Sequence, residues 1–294
     1  MTPAYADVEF WTAPDGARLA LRRAAPPGGA PRGTAILLHG FGDHSGRYAE
    51  LAAWLAARGL AVYALDQRGH GRSPGRRGHV SRFAQFLSDV AALRRLAAAE
   101  HGGPQVLFGH SFGGAVALRY LETAPEGLAG AVVSCPFLAV AMRVPAWKRA
   151  MARLLIEVLP ALPVATGIDL AHLSTDPAVG QAARSDPLYH RVMTPRAWRE
   201  IQAAQAAVVA EASHVAVPLL LLLAGDDRIV SRAASEAFAR LLPAGGDVTV
   251  RRYDGLYHEI FNEPARARVY RDVEPWLERV LAGAARAAGT SPAS

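Results

Sequence analysis

Apolar positions along this chain follow two alternating rhythms. Short, mostly apolar runs such as "TAILLHG", "LAVYALDQRG", "QVLFGHS", "LAGAVVSCPF" and "VPLLLLLAG" read as strands covered on both faces. Between them, in "RYAELAAWLAARG", "SRFAQFLSDVAALRRLAAAEH", "GGAVALRYLETAP" and "SRAASEAFARLLP", apolar residues recur at helical spacing. The pair "VEFWTA" and "RLALRRAAP" opens the chain as two strands, and strand "DVTVRRYDG" with helix "ARARVYRDVEPWLERVLAG" closes it. Strand followed by helix, repeated, predicts an α/β fold with a mostly parallel central sheet flanked by helices.

The alternation stops at Leu138 and resumes after Ala212. Between them the pattern is helical, punctuated by Pro145, Pro160, Pro163, Pro177, Pro187 and Pro195, with no convincing strand. Residues 138–212 are therefore expected to form a helical cap inserted into a core made of 1–137 and 213–282. The small, polar tail 283–294 is expected to fray.

Composition removes several function classes. A chain of 294 residues, 51% hydrophobic and 20% charged, can close a large core. The net charge is +6, but Lys148 is its single lysine and no basic run is interleaved with aromatics, so nucleic acid is not an expected partner. The basic balance suits anionic lipid surfaces. Residues "MTPAYADVEF" carry no signal-peptide pattern and "VAVPLLLLLAG" is too short to span a bilayer, which predicts a cytoplasmic protein. Cys135 is the lone cysteine, read as a small buried thiol, and no Cys/His cluster has zinc spacing. Neither a metal nor an organic cofactor is expected.

Two pentapeptides match G-x-S-x-G, one around Ser111 and one around Ser73. The pattern carries meaning only where a strand runs in and a helix runs out, because that sharp turn lifts the hydroxyl above the sheet edge. Ser111 has this setting, between "QVLF" and "GGAVALRYL". Ser73 is followed by Pro74, Gly75 and the charged "RRG", which reads as a turn.

A serine nucleophile needs a base and an acid that orients it, and in this architecture they follow in the order Ser, Asp or Glu, His. Of ten histidines only His258 follows the strand "VPLLLLLAG", and it sits just past the last strand. The acid is expected after "VPLLLLLAG", where Asp226 and Asp227 are both available; one would face the imidazole and the other cap the next turn. Local spacing does not separate them. For the oxyanion, the backbone amides of Phe112, after the serine, and Phe41, between Gly40 and Gly42, are the candidates.

Taken in order, "HGFGDHSGRY", "DQRGHGRSPGRRG", "GHSFGG", "GDDRIV" and "GLYHEIFNE" resemble the monoacylglycerol lipase and lysophospholipase branch of the α/β-hydrolase superfamily. The resemblance spans roughly Phe10 to Leu281 and weakens through the cap. It implies an α/β-hydrolase fold, the triad Ser111, Asp227 and His258, an oxyanion hole from the Phe41 and Phe112 amides, and no catalytic role for Ser73.

The expected activity is metal-free hydrolysis of carboxylic esters through an acyl-enzyme. The same triad could transfer the acyl group or cleave an amide. A non-enzymatic receptor on this fold would normally show a broken triad, and serine at the elbow argues against dehalogenase or epoxide hydrolase chemistry. The expected substrate is a small-molecule ester with one acyl chain, held in a groove lined by cap leucines, valines and alanines. Trp147, Trp198 or Met151 could instead plug that groove. Within Val144–Pro163 an apolar face beside Lys148, Arg149 and Arg153 suits either packing on the core or contact with a lipid surface.

Overall fold

The computed structural model describes residues 5, 7–142, 151 and 155–289. Strands β3 (Gly33–Leu38), β4 (Leu60–Leu65), β5 (Gln105–His110) and β9 (Leu219–Ala224) are buried at every position, which is why their sequences show no alternation. With β1 (Glu9–Thr12), β2 (Arg18–Ala24), β6 (Leu128–Ser134) and β10 (Val248–Tyr253) they form one eight-stranded sheet in the order β1-β2-β4-β3-β5-β6-β9-β10. β1 to β2 and β2 to β4 are antiparallel, and every other neighbour pair is parallel.

Helices α1 (Ala49–Ala57), α2 (Ala84–His101) and α3 (Phe112–Thr123) connect the central strands. The step from β3 to β4 moves toward β2, whereas β4 to β5 doubles back across β3. Right-handed crossovers in opposite directions place α1 and α2 on opposite faces. Helix α7 (Arg266–Gly289) lies beside α1, with Trp54 stacked on Tyr270 at 4.8 Å. It runs past Gly283, so the expected frayed tail is helical through Gly289; its Ala/Arg-rich sequence favours helix.

Among the described residues of the segment between β6 and β9, α4 (Pro177–Ser185) and α5 (Pro195–Ala210) both open on proline. Asp176 and Thr194 supply the N-caps, accepting from the Ala178 and Ala197 amides, and proline at the first helical position loses no hydrogen bond. The expectation of a strandless cap is corrected by a short antiparallel ladder, β7 (Val164–Ala165) against β8 (Val192–Met193). Trp147, Lys148, Arg149 and Arg153 lie outside the described residues. Helix α6 (Arg232–Ala239) follows β9. Because β5, β6, β9 and β10 are parallel neighbours, the turns leaving them share one edge of the sheet.

Candidate active site

Ser111 sits at that edge between β5 and α3, with φ 53° and ψ −114°. Only two non-glycine residues of the described chain, Ser111 and Cys135, have positive φ, a conformation that side chains avoid unless the surroundings enforce it. Close approach of backbone enforces it here. A Cβ on Gly113 would stand 2.2 Å from the Leu38 carbonyl oxygen, and one on Gly109 would stand 2.5 Å from that of Gly113. The Ser111 amide donates to the Ser134 carbonyl at 3.0 Å, and its carbonyl accepts from Phe137 at 2.9 Å.

Ser73, the competing serine, is committed elsewhere. Its Oγ accepts from the Ala20 amide at 2.8 Å and donates to the Asp66 carbonyl at 2.5 Å, stitching β2 to the end of β4.

Beyond β9, the Asp227 Oδ2 lies 2.7 Å from His258 Nδ1, and both side chains are buried. Its Oδ1 accepts from the Ile229 and Val230 amides, each at 2.9 Å. Asp227 therefore performs both tasks that the sequence divided between two aspartates. Asp226 is exposed and holds a different turn: its carboxylate accepts from Gly255 at 3.1 Å and its amide donates to Leu256.

Burial raises the Asp227 carboxyl, but the His258 ring and the two amides outweigh it and hold the group below the ordinary carboxylate range. For His258 burial favours the neutral ring, while Asp227, then Glu259 and Asp43, outweigh it and hold its pKa above the ordinary value. His110 packs against His258 with ring centroids 4.7 Å apart, and burial with that neighbour pushes it down to about 3, so it stays neutral.

The loop after β3 passes beside the serine, since a Cβ on Gly40 would lie 3.4 Å from that of Ser111. The Phe41 and Phe112 rings meet edge to face at 5.6 Å, and no group among the described residues accepts from either residue's amide. Two undirected backbone donors beside a hydroxyl suit a developing oxyanion.

Several polar residues within the quoted motifs had no assigned role. Arg47 grips Glu259 with two bonds of 2.8 Å and reaches Asp43 at 3.1 Å. Glu263, fully buried, accepts from Ser174 Oγ at 3.0 Å, Thr175 Oγ1 at 2.5 Å and the amides of Thr175 at 3.0 Å and Tyr257 at 2.6 Å, tying the segment between β6 and β9 to the histidine loop. Cys135 is a free, buried thiol as expected, and its Sγ and ligand atoms of Asp227 and His258 lie within 4.8 Å of one another. Within this group the Asp227 and His258 atoms are committed to their mutual hydrogen bond. Burial and the Asp227 charge keep the thiol protonated.

A family model described as serine aminopeptidase, S33, matches residues 29–265. The chain belongs to that α/β-hydrolase family. This serine hydrolase is 35% identical over 249 residues to a monoacylglycerol lipase of Mycolicibacterium smegmatis, covering 84% of the chain and 88% of the relative. It is 32% identical over 288 residues to a human monoglyceride lipase, covering 96% and 94%. The crystal structure of a Paleococcus ferrophilus monoacylglycerol lipase matches the hydrolase with a TM-score of 0.79 at 33% identity, covering 89% of this chain and 99% of that one. The hydrolase thus falls in the monoacylglycerol lipase-like branch named by its motifs.

Proposed function

We propose that Ser111, Asp227 and His258 form the catalytic triad of a carboxylic-ester hydrolase acting on single-chain acyl esters, monoacylglycerol foremost. The observation that carries this reading is the forced left-handed turn at Ser111 on the same sheet edge as a buried Asp227–His258 pair. In the first step Ser111 Oγ bonds to the ester carbonyl carbon and its proton passes to His258 Nε2. Asp227 keeps the other ring nitrogen protonated and steadies the imidazolium. The carbonyl oxygen, now anionic, takes the Phe41 and Phe112 amides. Collapse expels the alcohol, which receives the proton from His258, and a water activated by the same ring releases the acid.

Residues 138–212 act as the cap in this reading. Leu173, Asp186, Tyr189 and His190 from that segment touch Glu259, His44, Arg47 and Phe41. Of the side chains able to shorten an acyl groove, Met151 is 49% exposed and Trp198 packs against the main core. Exposed Met142, Val158, Leu159, Leu162 and Val164 in the same segment support peripheral contact with a lipid surface. Among the described residues no helix is long and apolar enough to cross a membrane. The test is turnover of monoacylglycerols beside short p-nitrophenyl esters, with a fluorophosphonate probe locating the nucleophile. Labelling at Ser111 and preference for the longer acyl chain support the proposal, and labelling elsewhere overturns it.

A further inference from the structure

A continuous chain of hydrogen bonds joins the two loops that the proposed mechanism must hold in register. The Gly40 amide, one residue before Phe41, donates to the Tyr48 hydroxyl at 3.3 Å, and that hydroxyl donates to Asp43 Oδ2 at 3.0 Å. Asp43 Oδ1 accepts from Arg47 Nη1 at 3.1 Å, and Arg47 continues through its two-bond fork to Glu259, the residue after His258. Asn262 donates to Glu259 Oε2 at 2.8 Å, and Tyr189 of the cap lies 5.2 Å over the guanidinium. The Arg47, Asp43 and Glu259 side chains are 11%, 5% and 6% exposed, so their charges are weakly screened.

We propose that Arg47 and Glu259 are a positioning pair: their fork fixes His258 against the oxyanion loop, and the balance of their charges sets the pH at which the imidazole becomes a working base. The inference rests on the triad reading above. A planar fork on a carboxylate fixes direction as well as distance, so it transmits loop position in a way that a single ammonium cannot. The groups facing His258 come from several elements: Asp227 after β9, His110 of β5, Cys135 after β6, Asp43 after β3, and Glu259 on its own loop, with Arg47 bonded to both Asp43 and Glu259. His110 and Cys135 are neutral, leaving Asp227 as the direct partner and Arg47, Asp43 and Glu259 as a cluster with one cation and two anions.

This arrangement gives opposite signs for the two neutralising changes. Glu259→Gln removes an anion, favours the neutral imidazole, and should move the acid limb of kcat/KM to lower pH. Arg47→Gln removes the cation, favours the imidazolium, and should move the limb to higher pH. Each displacement should be roughly half a unit or more, and the double variant should return toward the wild-type limb. Both single changes should lower kcat on the order of tenfold with KM for a p-nitrophenyl ester little altered. Limbs that stay in place, or move in the same direction, in variants with wild-type circular dichroism would overturn the proposal. If a neutral variant does not fold, Arg47→Lys decides: it keeps the charge and loses the fork, so a lowered kcat with an unmoved limb supports the pair's role and an unchanged kcat overturns it. Ser111→Ala is measured alongside. Activity surviving in it defeats the triad reading and this inference together, whereas an inactive Ser111→Ala with unresponsive Arg47 and Glu259 variants defeats the inference alone.

Discussion

Asp227 and His258 meet through one 2.7 Å hydrogen bond, while the second oxygen of Asp227 is anchored by the amides of Ile229 and Val230. The carboxylate is thereby aimed by the backbone before it touches the ring. Asp227→Asn can keep the anchor, since an amide oxygen also accepts, but it loses the charge and the tautomer control. Turnover should fall on the order of a thousandfold or more with little change in folding. Asp226→Asn should cost far less, because Asp226 holds only the Gly255 turn. Steady-state kinetics on both variants decide the matter, and a reversed order would put the acid at Asp226.

The two serines differ in kind as well as in rank. Ser111→Ala should fold normally and lose both esterase activity and fluorophosphonate labelling. Ser73→Ala should keep its active site but lose about 1–3 kcal/mol of stability, because the Ala20 amide and the Asp66 carbonyl are left unpaired in a buried place. A thermal melt beside an activity assay separates the effects. Loss of labelling in the Ser73 variant with an unchanged melt would contradict this division.

The Asp227 charge also predicts the form of the pH profile. In the proposed triad, proton abstraction from Ser111 requires neutral His258, whose folded pKa is raised above the ordinary 6.5 despite burial. kcat/KM should therefore fall as pH drops through a single ionisation centred above 6.5. The stability contribution has the sign of a raised histidine: present in full below the unfolded-state pKa, and lost as pH climbs through the folded one. In Asp227→Asn the raising charge is gone, so residual activity should persist to lower pH. A limb that does not descend in that variant would mean that another group controls it.

How much of this could be read beforehand depended on the range of the interaction. The central strands and the elbow were legible because burial on both faces leaves unbroken apolar runs, and because Gly109 is demanded by the close approach of its own following helix and Gly113 by that of the neighbouring β3. Asp226 and Asp227 were not separable, since spacing does not tell which side chain in one turn meets a ring on another loop. The Arg47–Glu259 fork joins residues 212 apart, and only the fold reveals that both motifs converge. The β7–β8 ladder escaped notice because two residues per strand carry no period. Helix α7 outran its expected end because small residues after Gly283 read as a tail, although alanine is the best helix former.

Substrate length is the most consequential expectation. A groove under the cap that accepts one acyl chain should bind each added methylene with roughly 0.8 kcal/mol until it is full. Catalytic efficiency should accordingly climb from butyrate toward decanoate and then level. Met151 and Trp198 sit where they do not argue for a short pocket, the first exposed and the second against the core. In the proposed reading the cap should also restrict bulk. Leu173, Asp186, Tyr189 and His190 of residues 138–212 contact the loops around the site, so a second or third acyl chain should be accommodated less well than a small alcohol. Monoacylglycerol should therefore be cleaved faster than triacylglycerol of the same chain length. If efficiency instead declines steadily from butyrate to decanoate, or triacylglycerol is the better substrate, the single-chain lipid assignment gives way to a general small-ester hydrolase working with the same triad.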